Sequence, residues 1–336
     1  MMRRYFISIC AAILAASLFT ACDDEDQSGV EDFSGKYAGR ESSFMIGEIF
    51  LPSDGKSLVI EPAGDNRAMV TLSNVVPDRA DITVEVSAAV NDGSLAFEGE
   101  SEIEGCLVSL KGCVSDGKAS VVVNRKMLIP FMGDWRLKFN NVAGNRSAAI
   151  YLNVKTVKPE MDMMINTMGA PVVGQLIAKN LDELMVSLSE SGIVGLSWKK
   201  VGESETHDLT SLAKILSLQY CVINNKLMIA VDKNYMSMLT ALGGDLLAKY
   251  GIKLDELMAL LVDLGGYYAI PMNFGVNSGN EVMIFADKQM VLPLVNMAMP
   301  IITPMIPSGF EETVKAIMAL LPTSERVDLG LIMEKQ

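Results

Sequence analysis

The same short phrase begins two long stretches of alternating polar and apolar residues in this chain. The phrase is F-x-G-x-aromatic, and it occurs at residues 33–37 and again at residues 131–135, 98 residues later. Alternation with period two is typical of β-strands that bury one face, and clusters of turn residues separate the alternating runs. The repeat therefore predicts two successive β-rich domains, 33–128 and 129–336. The residues that define the phrase are Gly35 and Tyr37 in the first copy and Gly133 and Trp135 in the second.

The first domain is predicted to be built from hairpins. Residues 91–93, Asn-Asp-Gly, separate two alternating runs, and Asn and Gly tolerate the positive φ of a tight turn. Residues 115–118, Ser-Asp-Gly-Lys, separate the next two runs in the same way. The pattern indicates about eight strands and no helix. An antiparallel up-and-down β-barrel would leave such strands without exposed edges.

The second domain is predicted to repeat this plan with inserted helices. A hairpin around residues 142–145 begins it, and a helix is predicted over 159–189 because apolar residues recur there at three- and four-residue spacing. That spacing is carried by residues such as Leu181, Leu184, Met185 and Leu188. Further helices are predicted at 235–249, 255–264, 289–299 and 311–320, before a closing strand at 327–333.

Two hairpins of the second domain end in the dipeptide Asp-Lys and run into predicted helices. Asp232 and Asp287 are therefore expected to act as helix caps, since their carboxylates can accept hydrogen bonds from the first free amides of a helix.

The Gly-x-Trp phrase at the first strand of an eight-stranded meander resembles the lipocalin, or calycin, superfamily. The whole chain is similar to two-domain lipoproteins of Bacteroides-type bacteria that carry calycin-like domains. The resemblance implies a mainly β fold with α insertions, made of an N-terminal antiparallel up-and-down barrel and a C-terminal lipocalin-like barrel with inserted helices. It also implies that Trp135 packs at the closed end of its barrel against a basic residue, with Tyr37 as a departure in the first domain.

Residues 1–21 are predicted to be a signal peptide. Arg3 and Arg4 precede an apolar segment of about 14 residues, which is shorter than the ~20 needed to span a bilayer. Residues 19–22, Phe-Thr-Ala-Cys, resemble the lipobox of bacterial lipoproteins, with Phe in place of the usual Leu. By that resemblance Cys22 would be the site of lipid attachment, and the protein would be anchored to a membrane by lipid chains.

Residues 22–32 form a predicted acidic tether that begins with Asp-Asp-Glu-Asp at 23–26. This run is either a solvated spacer or an acidic export signal like that of Bacteroides-type surface lipoproteins. The second reading favours the outer membrane, on its periplasmic or its cell-surface face.

The chain carries a net charge of −13, and removing Arg3 and Arg4 with the leader makes it −15. No Lys-Arg cluster forms a phosphate-binding patch, so a nucleic-acid partner is not expected.

Three cysteines after Cys22 and a single histidine leave little from which to build a metal or redox centre, and no cofactor is expected. Cys106 and Cys113 could form a disulfide across a turn at residues 111–112 or could be two separate buried thiols.

Signatures of catalysis are absent from the sequence: it contains no GxSxG elbow and no HExxH motif, and His207 lies in a polar stretch typical of a surface. The chain is therefore predicted not to be an enzyme; the alternative that the sequence leaves open is an enzyme whose pocket is assembled from dispersed carboxylates.

Methionine is the feature that could carry function, because 19 of the 23 methionines lie from Met127 onward. Methionine is unbranched and polarizable and can adapt to varied apolar partners. The apolar segment near residues 290–306 is either a core helix pair or a helical lid over an apolar ligand cavity. The candidate lining residues are Met290, Leu294, Met297, Met299, Ile302 and Met305.

The sequence accordingly predicts a lipid-anchored protein that binds a hydrophobic or amphipathic small molecule in its C-terminal domain. The alternative is a surface interaction or adhesion protein that binds glycan or protein partners through its loops. The sequence names no particular protein partner.

Overall fold

The structure, a computed structural model, describes residues 29–64, 66–103, 105–142, 144–236, 254–277, 280–303, 306 and 311–336. Within these ranges the chain is mainly β, with curled sheets that include a half-barrel. The predicted signal peptide, the predicted lipid-attachment residue Cys22 and Met305 lie outside the described residues. So do most of the predicted tether and of the predicted helix at 235–249.

Nine strands form the first sheet. They are β1 (Gly35–Ala38), β2 (Ser42–Ile46), β3 (Ile49–Leu51), β4 (Ser57–Gly64), β5 (Arg67–Ser73), β6 (Asp81–Asn91), β7 (Ser94–Ile103), β8 (Cys106–Ser115) and β9 (Lys118–Met127). Their order in the sheet is β1-β4-β5-β6-β7-β8-β9-β2-β3. The turns predicted at 91–93 and 115–118 are confirmed. Each is a two-residue turn, Asp92-Gly93 or Asp116-Gly117, whose residues have positive φ and join directly paired strands.

One pairing in this sheet departs from a purely antiparallel meander. β1 and β2 are two parts of one segment that bends at the 3-10 turn Gly39–Glu41; β1 pairs antiparallel with β4, and β2 pairs parallel with β9. The parallel direction of the pairing between β2 and β9 follows from the number of strands between β1 and β2 in the sheet. β4 to β9 are six strands in an up-and-down meander, so the last runs opposite to the first. A segment that is antiparallel to β4 must therefore be parallel to β9, and the bent segment brings the two ends of the meander together.

The second sheet contains eleven strands in the described residues. The early strands are β10 (Gly133–Leu137), β13 (Ile150–Lys155), β14 (Leu181–Leu188), β15 (Val194–Lys200) and β16 (His207–Asp208). The later strands are β17 (Gln219–Ile223), β18 (Lys226–Asp232), β19 (Val262–Asp263), β20 (Tyr267–Asn277), β21 (Glu281–Ala286) and β22 (Arg326–Lys335). A separate ribbon consists of β11 (Phe139–Val142) and β12 (Asn145–Ala148).

The path of the second sheet is β16-β15-β14-β10-β22-β21-β20-β18-β17, with β13 also on β22 and β19 on β20. An isolated bridge between Ile193 and Gln219 brings β17, at one end of this order, back to the start of β15 near the other end. The sheet is therefore strongly curled. The hairpin predicted around residues 142–145 forms only as the short ribbon, because β10 and β13 pair with β22 instead of with each other.

Five α-helices are described. They are α1 (Pro159–Asn180), α2 (Thr210–Ile215), α3 (Leu254–Met258), α4 (Lys288–Ile302) and α5 (Glu311–Leu320). The predictions of α4, α5 and the closing strand β22 are confirmed. The helix predicted over 255–264 is shorter, because β19 begins at Val262. None of the helices within the described ranges is both long and apolar enough to cross a membrane.

The helix predicted over 159–189 is wrong in its last third. It ends at Asn180, and residues 181–188 form β14, which is paired with β10 on one side and β15 on the other. Leu184 and Val186 pack against the core and Leu188 is buried in it, so period two applies here. The four-residue spacing of the leucines fits both patterns, and pairing with two neighbouring strands decides in favour of the strand.

One continuous cluster of buried apolar side chains joins the two sheets. It includes Phe44 and Phe97 from the first sheet and Trp135, Tyr220 and Val282 from the second. Polar contacts cross the same boundary: Tyr267 Oη donates to the carbonyl of Val75 at 2.7 Å, and Lys56 Nζ lies 2.5 Å from the carboxylate of Asp232. Both side chains of that ion pair are at most 1% exposed. The boundary between the sheets is thus buried and is crossed by both apolar and polar contacts.

Candidate functional site

Helix α1 is fixed to the sheet by side chains that hydrogen-bond to the backbone of β13 and the residue after it. Asn166 accepts from the amide of Val154 at 2.8 Å and donates to its carbonyl at 2.9 Å. Asp162 accepts from the amide of Thr156 at 2.6 Å. Because Asp162 and Asn166 are four residues apart, both lie on one face of α1. That face therefore lies along β13.

Two glycines allow α1 to approach the sheet. A Cβ added at Gly174 would lie 2.3 Å from the carbonyl oxygen of Ala148, and one at Gly169 would lie 2.8 Å from a methyl carbon of Leu152. Both glycines are buried. The close approach at Gly174 involves backbone, so only glycine fits there without moving the helix.

Helices α4 and α5 occupy the long connection between β21 and β22. The ammonium of Lys288, at the start of α4, donates to the carbonyl of Ser324 at 2.5 Å, which ties α4 to the segment that follows α5. Val291 of α4, Leu321 after α5, and Ile165 of α1 share one buried apolar cluster with Val154 and Val327 of the sheet. The three helices thus form a layer over β13 and β22.

Between this helical layer and the sheet lies a cavity of about 250 Å³. Its wall consists of residues from α1, α4 and α5, of β13 and β22, and of Ile306 and Leu321. The side chains that line it from the helices include Val172, Leu176, Val295, Met299, Ile317 and Met318. Two polar side chains, Gln175 and Lys179, also reach the wall, and both belong to α1. We call this space the helix–sheet cavity.

The helix–sheet cavity lies on the same face of β22 as the main core. Val327 and Leu329 line the cavity, whereas Leu331 and Met333 pack in the core shared by the two sheets. Side chains two apart on a strand point to one face. The helices therefore cover one end of the face that the curled sheet turns toward its own core.

The predicted lining residues take different positions relative to this cavity. Met299 lies on its wall. Met290 and Met297 are buried but are not part of the wall, and Leu294 is partly exposed. Ile302 belongs to the last turn of α4, but its side chain, like all of Met305, lies outside the described residues. The structure therefore places one predicted residue at the cavity.

The residues of α4 that line the cavity follow a simple rule, and the sequence prediction contained only one of the three. Val291, Val295 and Met299 are spaced four apart along α4 and form the stripe that faces the cavity. Apart from Met299, the selected methionines of α4 that the structure describes, Met290 and Met297, lie on other sides of the same helix. A search for a four-residue stripe of any apolar residue could have found the face, but α1 carried no signal that it would join the same wall.

The F-x-G-x-aromatic phrase forms the same local structure in both sheets. Tyr37 Oη donates to the carbonyl of Phe33 at 2.8 Å, and Trp135 Nε1 donates to the carbonyl of Phe131 at 2.8 Å. The central glycines have φ of +141° and +123°, which side-chain-bearing residues rarely adopt. In each copy the glycine turns the chain so that the aromatic residue reaches back four positions. The ammonium of Lys335 lies 6.0 Å from the ring centre of Trp135.

The two predicted caps differ. The carboxylate of Asp232 accepts from the amide of Asn234 at 2.9 Å and caps the 3-10 turn Lys233–Tyr235. Asp287 occupies the N-cap position of α4, but its side chain makes no capping hydrogen bond there. Its carboxylate lies 3.0 Å from the ammonium of Lys226, which competes with the helix amides for the same oxygen atoms.

The suggested disulfide between Cys106 and Cys113 is not formed, and both cysteines are buried. The turn expected at residues 111–112 is absent because β8 runs unbroken from Cys106 to Ser115. Seven residues of extended strand separate the two sulfurs by roughly 23 Å and place them on opposite faces. They are therefore two separate structural thiols.

His207 and its neighbours form a surface group. Its Nε2 lies 2.8 Å from a carboxylate oxygen of Glu203, and its ring stacks on Trp198 with the centroids 5.3 Å apart. The hydrogen bond with His207 is the main reason that the pKa of Glu203 is below its usual value. Within the described ranges, no three His, Cys, Asp or Glu side chains are grouped so as to hold a metal ion.

Comparisons with known proteins add no family or relative. A scan against protein-family models finds no match, and searches of curated proteins and of solved structures find no significant match either. The helix–sheet cavity is a feature of the described residues from which a function can be argued.

Proposed function

We propose that this chain is a lipid-anchored outer-membrane lipoprotein that binds a hydrophobic or amphipathic small molecule in the helix–sheet cavity. The observation that carries the proposal is the cavity itself, about 250 Å³ in volume with an almost wholly apolar wall. Sites for small molecules are concave, predominantly apolar and equipped with a small number of polar groups. The helix–sheet cavity has this composition, with Gln175 and Lys179 as its polar groups.

The energetics of packing support this reading. Apolar side chains that border an unfilled space lose the packing contacts that a filled core would give them. A ligand whose carbon atoms contact Val172, Val295 and Ile317 would regain these contacts. Binding and stability are therefore expected to rise together.

The position of the cavity also fits a ligand carrier of the calycin type. We propose that the two curled sheets are lipocalin-like barrels and that α1, α4 and α5 are inserted over the mouth of the second. The paired aromatic hydrogen bonds at Tyr37 and Trp135, and the ammonium of Lys335 near the Trp135 ring, support this assignment. In this arrangement the first sheet serves as a spacer or docking unit.

Membrane attachment is proposed at Cys22. Metabolic labelling with a radioactive fatty acid tests it, and Cys10→Ser, a change within the same leader, is the matched control. Cys22→Ser is expected to abolish the label and Cys10→Ser to leave it. Equal labelling of both variants would contradict attachment at Cys22.

Ligand binding is tested by calorimetric titration with decan-1-ol, a neutral probe with a single apolar chain. The chain from Asp23 onward is suitable because every contact described above lies within residues 29–336. Ile317→Trp places an indole in the cavity, whereas Ile215→Trp makes the same exchange on the exposed surface of α2. We expect the unmodified chain and Ile215→Trp to bind the alcohol and Ile317→Trp, checked for native circular dichroism, to lose binding.

Absence of binding to the unmodified chain, together with a ligand-free mass in native mass spectrometry of every preparation, would contradict the proposal. Binding of a glycan or protein that is lost on loop substitutions and unaffected by Ile317→Trp would instead select the role of a surface interaction protein.

A further inference from the structure

The polar groups of the helix–sheet cavity are concentrated at one place. Gln175 and Lys179 are four residues apart on α1, so their side chains are neighbours on one face, one helical turn apart. The rest of the wall is formed by apolar residues from three helices and two strands. The cavity therefore has one polar end, at the C-terminal end of α1.

Lys179 is free to bind a ligand. Its side chain is exposed, and it forms no ion pair with any residue in the described ranges. The nearest acidic residue along the chain, Asp182, is paired with Arg146 at 3.3 Å. A lysine in the last turn of a helix is favoured by the helix dipole alone, so the inference depends on its place on the cavity wall beside Gln175.

Lysine is suited to the boundary between an apolar wall and water. Its methylene stem can lie against apolar surface while the ammonium stays hydrated. The side-chain amide of Gln175 supplies a second hydrogen-bond donor one turn away. Two donors, one of them charged, match an anionic head group such as a carboxylate.

We propose that the ligand is a single-chain amphiphile with an anionic head group. Its apolar chain lies between α1, α4 and α5, and its head group lies at Gln175 and Lys179. This inference rests on the proposed function and specifies the class of ligand.

The volume of the cavity limits the length of the chain. An apolar cavity of about 150 Å³ accommodates benzene, so a volume of about 250 Å³ takes a chain of medium length. A lipid with two long acyl chains does not fit. A free carboxylic acid of about ten carbon atoms, decanoate, is therefore a suitable probe.

The experiment compares three probes with the same ten-carbon chain, decanoate, decan-1-ol and decyltrimethylammonium, by calorimetric titration of the chain from Asp23 onward. Decanoate is expected to bind about three- to tenfold more tightly than the alcohol, and the cation more weakly than the alcohol. The advantage of decanoate is expected to shrink as salt is added.

Two variants locate the head group. Lys179→Gln should reduce the affinity for decanoate to that of the alcohol and leave the affinity for the alcohol unchanged. Lys118→Gln, an exposed lysine at a turn of the first sheet, is the matched control and should change neither.

The outcomes separate the two proposals. If decanoate and the alcohol bind equally and Lys179→Gln changes neither, or if the cation binds most tightly, the anionic head group is wrong and the apolar site stands. If none of the three probes binds, the proposed function fails and this inference fails with it.

Discussion

The buried ion pair between Lys56 and Asp232 provides a strong test of how the two sheets are held together. Lys56 precedes β4 of the first sheet and Asp232 ends β18 of the second, so the pair joins residues 176 positions apart. The ammonium also lies 5.7 Å from the ring centre of Tyr267. Replacing Lys56 with methionine retains most of the stem and removes only the charge and the hydrogen bonds.

The size of the effect follows from burial. The side chains of Lys56 and Asp232 are 1% and 0% exposed, and their charged atoms are 2.5 Å apart. In Lys56→Met the carboxylate of Asp232 stays buried and loses the counter-charge of Lys56. Breaking a buried pair in this way costs about 3–5 kcal/mol. We therefore expect the free energy of unfolding to fall by that amount.

The assay is equilibrium unfolding in urea, followed by far-UV circular dichroism and by tryptophan fluorescence. Arg67→Met is the matched control, because Arg67 lies 3.0 Å from Glu85 but the two side chains are 68% and 54% exposed. Exposed pairs contribute little to stability, so this control is expected to unfold like the unmodified chain. Because one core cluster spans both sheets, the two signals should change in a single transition.

A double variant completes the test. Asp232→Asn added to Lys56→Met removes the stranded charge and keeps an oxygen that can accept from the amide of Asn234. It should recover most of the lost stability. The reasoning is refuted if Lys56→Met lowers the free energy of unfolding no more than Arg67→Met does.

Three further predictions concern single positions. Gly174→Ala should lower the melting temperature, because the added Cβ would lie 2.3 Å from the carbonyl oxygen of Ala148. Alanine in place of glycine normally stabilises a helix by about 1 kcal/mol, so an unchanged or higher melting temperature would contradict this packing. Trp135→Phe should lower the free energy of unfolding, measured in urea, by about 1–3 kcal/mol, because it leaves the buried carbonyl of Phe131 without its hydrogen-bond donor. A loss below about 0.5 kcal/mol, roughly the level of a surface substitution, would argue against this hydrogen bond. Burial raises the pKa of the Cys221 thiol to about 12, so it should not react with a thiol reagent at pH 8 until the protein is unfolded; rapid labelling of the native chain would disprove its burial.

Much of the fold follows from local sequence signals. The Asp-Gly turns at residues 92–93 and 116–117 set the registers of two hairpins, because only residues that accept positive φ fit there. The repeated glycine and aromatic pair predicted two related β units, and the same reaching-back hydrogen bond occurs in both. These features depend on contacts between residues close in sequence.

The parts of the fold that the sequence did not predict depend on pairing between strands that are distant in sequence. Residues 181–188 fit a helical pattern as well as a strand, and their pairing with β10 and β15 determines the outcome. The parallel pairing of β2 with β9 depends on how many strands lie between them.

The candidate site was predictable only in outline. The composition of α4 predicted an apolar helix over the sheet. The face of α4 that lines the cavity, however, carries Val291, Val295 and only one of the selected methionines, Met299. The contribution of α1 could not be foreseen, since it follows from the hydrogen bonds of Asp162 and Asn166 with the backbone of Thr156 and Val154, at the end of β13. Two stretches far apart in sequence, 152–179 and 291–329, meet at the cavity, and no local pattern encodes that meeting.

The most direct test of the account is a crystal structure of the chain soaked with 10-bromodecan-1-ol, whose bromine can be located by anomalous scattering. The account predicts a bromine peak inside the helix–sheet cavity, in contact with apolar side chains such as Val172, Val295 and Ile317. A cavity filled by its own side chains, with bromine found only on the outer surface or nowhere, would contradict it.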